Sequence, residues 1–290
     1  MNKPIVMSFG EVLWDLFPDG ERFGGAPANF ACHASLEGAH AIMVSAVGDD
    51  QRGVDAIRML SELDVDTSLV QVVSSAPTGT VSVQLDIQGK PAFTIHEGSA
   101  ADQIAWNESI ARKISDADAI YFGTLGQRSE IARKTIRRAA ELAAKAGIVR
   151  VLDINLRSPF FDSELIRESI SLASILKLSD DELATVCAAC GIPETSESQP
   201  MLRGLLEFGN LDMVVLTRGA QGALLVTADD SMDQEGIPAV VIDTVGAGDS
   251  FTAAFLMGEL QGKTRKASLR RACEVAAATC SHSGAVPAPQ

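Results

Sequence analysis

From residue 102 onward the chain alternates short apolar runs with longer amphipathic stretches, and this rhythm limits the fold more than any other feature. A helical pattern over 104–114 leads to the run Ala119-Ile120-Tyr121-Phe122. A second pattern over 129–146 leads to 148–152, and runs at 172–178 and 212–216 follow. Runs this short and this uniformly apolar read as strands buried on both faces, with crossover helices between them. Runs at 5–10 and 41–47 read the same way. The expected fold class is therefore α/β: a mostly parallel sheet with helices on both faces, binding ligands beyond the carboxyl ends of its strands.

Other segments alternate apolar with polar residues instead. Residues 12–17 end in the turn Pro18-Asp19-Gly20, while 70–73 and 80–87 carry one polar face, and Gln88-Gly89-Lys90-Pro91 turns into a further strand over 92–97. These suggest a small antiparallel β lid of about 12–23 and 79–98 on a single domain spanning 1–290.

Strand ends are where chemistry is expected, and the most informative one lies near the C-terminus. The apolar run 239–242 reads as a buried strand and passes through Asp243-Thr244-Val245-Gly246-Ala247-Gly248-Asp249-Ser250-Phe251 into a helix of small and apolar residues. A strand turning through Gly-Ala-Gly into a helix leaves backbone N–H groups unpaired and aimed at one spot, where the helix dipole favours an anion. Asp249 places a carboxylate beside that anion hole. Asp also caps helices well, so a purely structural cap is one reading. A general base that strips a hydroxyl proton while the amides hold a phosphoryl group is the other.

A second glycine-rich helix start, Gly24-Gly25-Ala26-Pro27-Ala28-Asn29, precedes the helix 30–36, with Gly38 as its C-cap. Asn29 there can donate to and accept from hydroxyl groups. Further strand ends carry Asp153-Ile154-Asn155-Leu156-Arg157, Ser179-Asp180-Asp181-Glu182 and Thr217-Arg218-Gly219-Ala220-Gln221-Gly222. Taken alone, these read equally as a salt-bridged loop, a capping box and a hairpin turn. Asp15, flanked by Trp14 and Leu16, either lies on an exposed strand face or is a charge in apolar company that needs a partner.

A formal net charge of −14 and a pI near 4.7 argue against nucleic acid and anionic membrane surfaces as partners. No apolar run approaches membrane-spanning length and the N-terminus has no signal-peptide pattern, so a cytoplasmic protein is expected. Cys187 and Cys190 have half-zinc-site spacing but no second pair, and they fall in a helical pattern; buried thiols are expected. Neither a P-loop nor a dinucleotide fingerprint occurs.

The D-T-V-G-A-G-D-S-F stretch and G-G-x-P-A-N, about two hundred residues apart in that order, resemble the two signatures of the ribokinase-like (PfkB) carbohydrate kinases, and the chain looks most like the fructokinases among them. The resemblance extends from Gly10 to Pro287. It implies Asp249 as catalytic base, with Gly246, Ala247 and Gly248 in the anion hole. Asp15, Gly25, Asn29 and Arg157 would hold the sugar. Ser179, Thr217, Gly219, Gly222, Ala276 and Thr279 would contact ATP. Glu182 would organise Mg²⁺ through water, and Asp243, Val245 and Ala285 would bind a possible K⁺. Ser179 stands where many relatives have asparagine. The implied activity is transfer of phosphate from ATP to a sugar primary hydroxyl, with fructose giving fructose 6-phosphate. A 2-keto-3-deoxygluconate kinase and a catalytically silent sugar-binding homologue are the alternatives. A homodimer paired through the lid is also expected.

Overall fold

The computed structural model of the protein describes residues 3–85 and 91–287. In chain order the elements are β1 (Ile5–Phe9), β2 (Leu13–Phe17), β3 (Gly20–Gly24), α1 (Ala26–Leu36), β4 (His40–Gly48), α2 (Gln51–Glu62), β5 (Asp66–Val73), β6 (Gly79–Leu85) and β7 (Pro91–Ile95). There follow α3 (Glu108–Ser115), β8 (Ala119–Gly123), α4 (Glu130–Lys145), β9 (Val149–Asp153), α5 (Ser163–Leu172), β10 (Ile175–Ser179) and α6 (Asp180–Ala189). The chain closes with α7 (Ser198–Gly209), β11 (Met213–Thr217), β12 (Ala223–Val226), β13 (Ser231–Gln234), α8 (Ala247–Leu260) and α9 (Arg265–Thr279).

The main sheet has the order β13-β12-β11-β10-β9-β8-β1-β4-β5 and is parallel from β11 to β5. Parallel pairing brings the carboxyl ends of β1, β8, β9, β10 and β11 to one edge. A second sheet, β3-β2-β6-β7, is built of two antiparallel hairpins joined by a parallel β2–β6 pair. The α/β architecture expected from the alternation is therefore present.

Helix α8 is the organising element of the core. Every residue from Asp249 to Gly258 is buried, which suits a helix apolar nearly all round. A Cβ at Gly258 would lie 2.5 Å from Ser268 Oγ, so glycine there lets α9 approach α8 closely. On its other side α8 packs against α1, and Ala253, Leu256 and Met257 share a cluster with Ala28, Phe30 and Ala31.

The structure differs from the sequence expectation in four places. Residues 239–242 do not form a buried strand. They run as irregular chain with Val240, Val241 and Ile242 63–80% exposed, because the sheet ends at β13 and offers them no partner. Residues 70–73 belong to β5, the parallel edge of the main sheet, and not to the small sheet. The first helix after residue 102 begins at Glu108, where Asn107 Oδ1 accepts from the amides of Ser109 and Ile110. Residues 172–174 close α5 and lead into β10 instead of opening the strand. The strand end at Ile87 and the turn at 88–90 fall outside the described residues.

Candidate active site

Two helices begin face to face at the centre of the molecule. α1 starts after Gly25, whose φ of 105° belongs to glycine, and a Cβ there would sit 2.6 Å from the Glu11 carbonyl. α8 starts after Gly246, with φ 79°, where a Cβ would meet Ala285 at 2.6 Å. Each glycine thus turns the chain sharply enough to aim its helix at the shared spot. Across it Asn29 Nδ2 donates to Asp249 Oδ2 at 2.8 Å, joining the two motifs over 220 residues of sequence. The amides of Gly248 and Asp249 lie in the first turn, where the helix itself does not use them. The Ala247 amide is engaged by the Thr244 carbonyl at 3.3 Å.

The carboxylates around this spot are poised towards their neutral forms. Burial pushes Asp249 up, opposed by the Asn29 hydrogen bond and by the charges of Lys177, Arg157 and His33. Burial likewise pushes Asp15 up to about 6, with Arg157 opposing and Asp243 reinforcing. Asp15 lies over Gly24, where a Cβ would be 2.7 Å from its Oδ2. Glu11, between β1 and β2, is raised to about 7, again by burial first, with Arg128 opposing and Asp249 reinforcing.

Several buried polar atoms here have no hydrogen-bond partner among the described residues: Glu11 Oε2, Asn29 Oδ1, Tyr121 Oη and Arg128 Nη1. Buried polar groups are rarely left unpaired, so these atoms are available to a polar ligand. Glu11 and Arg128 line one small cavity with Leu13, Thr80 and His96 beneath the second sheet. Arg128 is otherwise committed to Asp102 at 2.6 and 2.9 Å.

Arg157 is exposed on the loop after β9, with Nη1 donating to the Leu156 carbonyl at 3.1 Å. That loop is tied down by Glu182, whose Oε1 accepts from the Leu156 amide at 2.7 Å. Its Oε2 accepts from the amide and hydroxyl of Ser179 at 2.8 Å each. Ser179 and Thr217 stand side by side in the β10–β11 register, and Thr217 Oγ1 donates to the Leu178 carbonyl at 3.4 Å. Gly219 is exposed in the turn that follows. Gly222 is buried instead, and a Cβ there would lie 2.0 Å from the Gln234 carbonyl, so its role in the fold is close packing on β13.

Beyond this turn a groove of about 480 Å³ opens between residues 237–240 and α9, lined by Ile237, Pro238, Ala239, Val240, Glu274, Ala277, Ala278 and Ser281. The face of α9 turned to it carries Glu274, Ala277 and Ala278. Thr279 is buried, and Ala276 packs against the cluster of Phe251 and Phe255.

The tail closes over α8. Asp243 accepts from the amides of Val245 (3.1 Å) and Gly284 (3.0 Å), and the Ala285 carbonyl lies 2.8 Å from His33 Nε2. Sequence reasoning missed Lys177 and Glu11, and also Tyr121, because each sits in or beside a run that reads only as strand.

Two facing helix starts, a buried carboxylate and an amide oxygen without a partner thus come together at one spot. The pfkB family of carbohydrate kinases matches residues 12–290, and the chain belongs to it. It is 30% identical to probable fructokinase-2 of Arabidopsis thaliana over 99% of this chain and 93% of that protein. It is also 29% identical to the aminoimidazole riboside kinase of Salmonella typhimurium, over 88% and 80% respectively. Among solved structures, a putative ribokinase II of E. coli in complex with ATP and Mg²⁺ superposes with a TM-score of 0.86 at 21% identity, covering 100% of this chain and 96% of that one. No described helix is long and apolar enough to cross a membrane.

Proposed function

We propose that the protein transfers the γ-phosphoryl group of ATP to the primary hydroxyl of a sugar, fructose being the first candidate, with Asp249 as general base. The observation that carries this reading is the 2.8 Å Asn29–Asp249 contact between the two helix starts. One oxygen of Asp249 is fixed by the Asn29 amide, which leaves Asn29 Oδ1 free to accept from a sugar hydroxyl. Asp249 removes the proton of the attacking hydroxyl, whose oxygen forms a bond to the γ-phosphorus as the bond to the β–γ bridging oxygen breaks. The amides of Gly248 and Asp249 face the charge on the transferring group, with Arg157 at the rim. Asp15 and Gly25 complete the sugar side, and the second sheet acts as a lid that excludes water.

ATP fits the open groove by chemistry: its walls are apolar at Ile237 to Val240 and alanine-faced on α9, as a flat base requires. Among the described residues no cluster of three acidic, histidine or cysteine groups could cage a metal. That suits magnesium carried on the nucleotide phosphates, with Glu182 reaching it only through water because its oxygens already accept protein donors. When bound, Mg²⁺ offsets the negative charge of the phosphates. The groups considered for K⁺ fit it less well, since the Asp243 oxygens and the Ala285 carbonyl are already hydrogen-bonded to one another's segments and to His33. Phe93 is 52% exposed on edge strand β7, which supports pairing of two lids in a homodimer.

A panel of fructose, 2-keto-3-deoxygluconate, ribose and aminoimidazole riboside in a coupled ADP-release assay tests the reading. Fructose-dependent ADP release is expected to exceed that of the others. Sugar binding with no ADP release from any of them would leave only a silent binding homologue.

A further inference from the structure

The buried ion pair behind the anion hole has no part in the chemistry described above. Lys177 and Asp153 stand opposite each other in the β9–β10 register, both buried, with Nζ 3.2 and 3.1 Å from the two Asp153 oxygens. Thr252, one turn into α8, donates to Asp153 Oδ2 at 3.1 Å and to its own helix at the Gly248 carbonyl at 2.9 Å. A Cβ on Gly248 would lie 2.9 Å from Lys177 Nζ, so the ammonium sits directly against the first turn of α8. A buried ion pair is a poor source of stability, because desolvation offsets much of the attraction. Its placement against the turn that carries Asp249 therefore calls for another explanation.

We propose that Lys177, clamped by Asp153, is a positioning residue of the phosphoryl-transfer site: it braces the first turn of α8 and supplies a fixed positive charge behind Asp249 and the anion-binding amides. The inference rests on the kinase reading above. The groups that face Asp249 are Asn29 and His33 from α1, Glu11 from the β1–β2 link, Tyr121 from β8, Asp153 from β9, Arg157 from the loop after it, and Lys177 from β10. Glu182 adds negative charge near Lys177. Arg157 is solvent-exposed and so screened, whereas Lys177 acts from within the protein.

The test compares Lys177→Met, Lys177→Arg and Asp153→Asn with the wild type. The readout is the acid limb of kcat with both substrates saturating, which reports groups in the bound complex. Loss of the cation in Lys177→Met leaves the Asp249 carboxylate less favoured, and the limb is expected to move up by roughly one pH unit. Asp153→Asn removes the anion that balances Lys177, and the limb is expected to move down. Lys177→Arg keeps the charge and is expected to leave it near the wild-type position. The opposite signs separate this role from a merely structural one, which lowers kcat at every pH and leaves the limb fixed. A limb unmoved in both Lys177→Met and Asp153→Asn, or moved the same way, overturns the proposal; if one variant fails to fold, the other carries the test alone. A wild-type protein that transfers phosphate to no sugar overturns the kinase reading and the inference together, whereas an active wild type with fixed limbs overturns only the inference.

Discussion

The junction of α1 with α8 and the groove along α9 are built on opposite principles. At the junction, charges are buried, cross-linked and held in place: Asp249 by Asn29, Asp153 by Lys177 and Thr252. Along the groove, apolar side chains stand in solvent, with Val240 80% exposed and held by little beyond the Ile242 amide's bond to the Cys280 carbonyl. Under the proposed function, the junction would have its groups ordered before the ligand arrives, which removes reorganisation from the reaction step. The groove would need no such order, since burying exposed apolar surface favours binding without precise alignment.

The largest effect should come from disturbing the junction's backbone. Gly25→Val forces a β-branched residue into φ 105° and drives its Cβ into the Glu11 carbonyl. We predict a loss of at least about 1–3 kcal/mol of stability by denaturant unfolding, together with loss of sugar-dependent turnover. Wild-type stability in this variant would mean that α1 does not need its tight start.

The next effect concerns pH. Glu11 and Asp15 have folded values raised above the ordinary carboxylate range, to about 7 and about 6. The folded protein then binds more protons than the unfolded chain between those values and the ordinary ones of 4.5 and 3.8. Stability is therefore highest below that window and is lost as pH rises through 6 to 7. Groups held low by partners, such as Asp66 at about 2, act only in stronger acid. The ligand-free protein should thus melt at a higher temperature near pH 5 than near pH 8, and Glu11→Gln should flatten part of the slope. A melting temperature that climbs steadily towards pH 8 would contradict the buried-carboxylate description.

The smallest effect belongs to the groove. Val240→Asp places a charge where phosphates and a base would lie, yet it touches no core residue. Stability should change by within about 0.5 kcal/mol, while KM for ATP rises and KM for the sugar stays. An unchanged KM for ATP would place the nucleotide elsewhere.

Much of this contrast was legible in the sequence, and the reason differs by residue. Asp249 and Asn29 stand out because the glycines and the proline around them announce sharp turns into helix starts. Residues 239–242 misled because four consecutive apolar residues look alike whether or not a neighbouring strand is there to pair with them. Lys177 was hidden for the converse reason: a charged residue inside the run Ile175-Leu176-Lys177-Leu178 is visible, but its partner Asp153 lies on another strand and only the register brings them together.

The most direct test of the central claim is single-turnover phosphate transfer by Asp249→Asn, with sugar and ATP affinities measured on the same preparation. The account predicts a drop of at least about 100-fold in the transfer step, the scale of a lost general base, with both affinities within a few-fold of wild type. Transfer at the wild-type rate by this variant would contradict it.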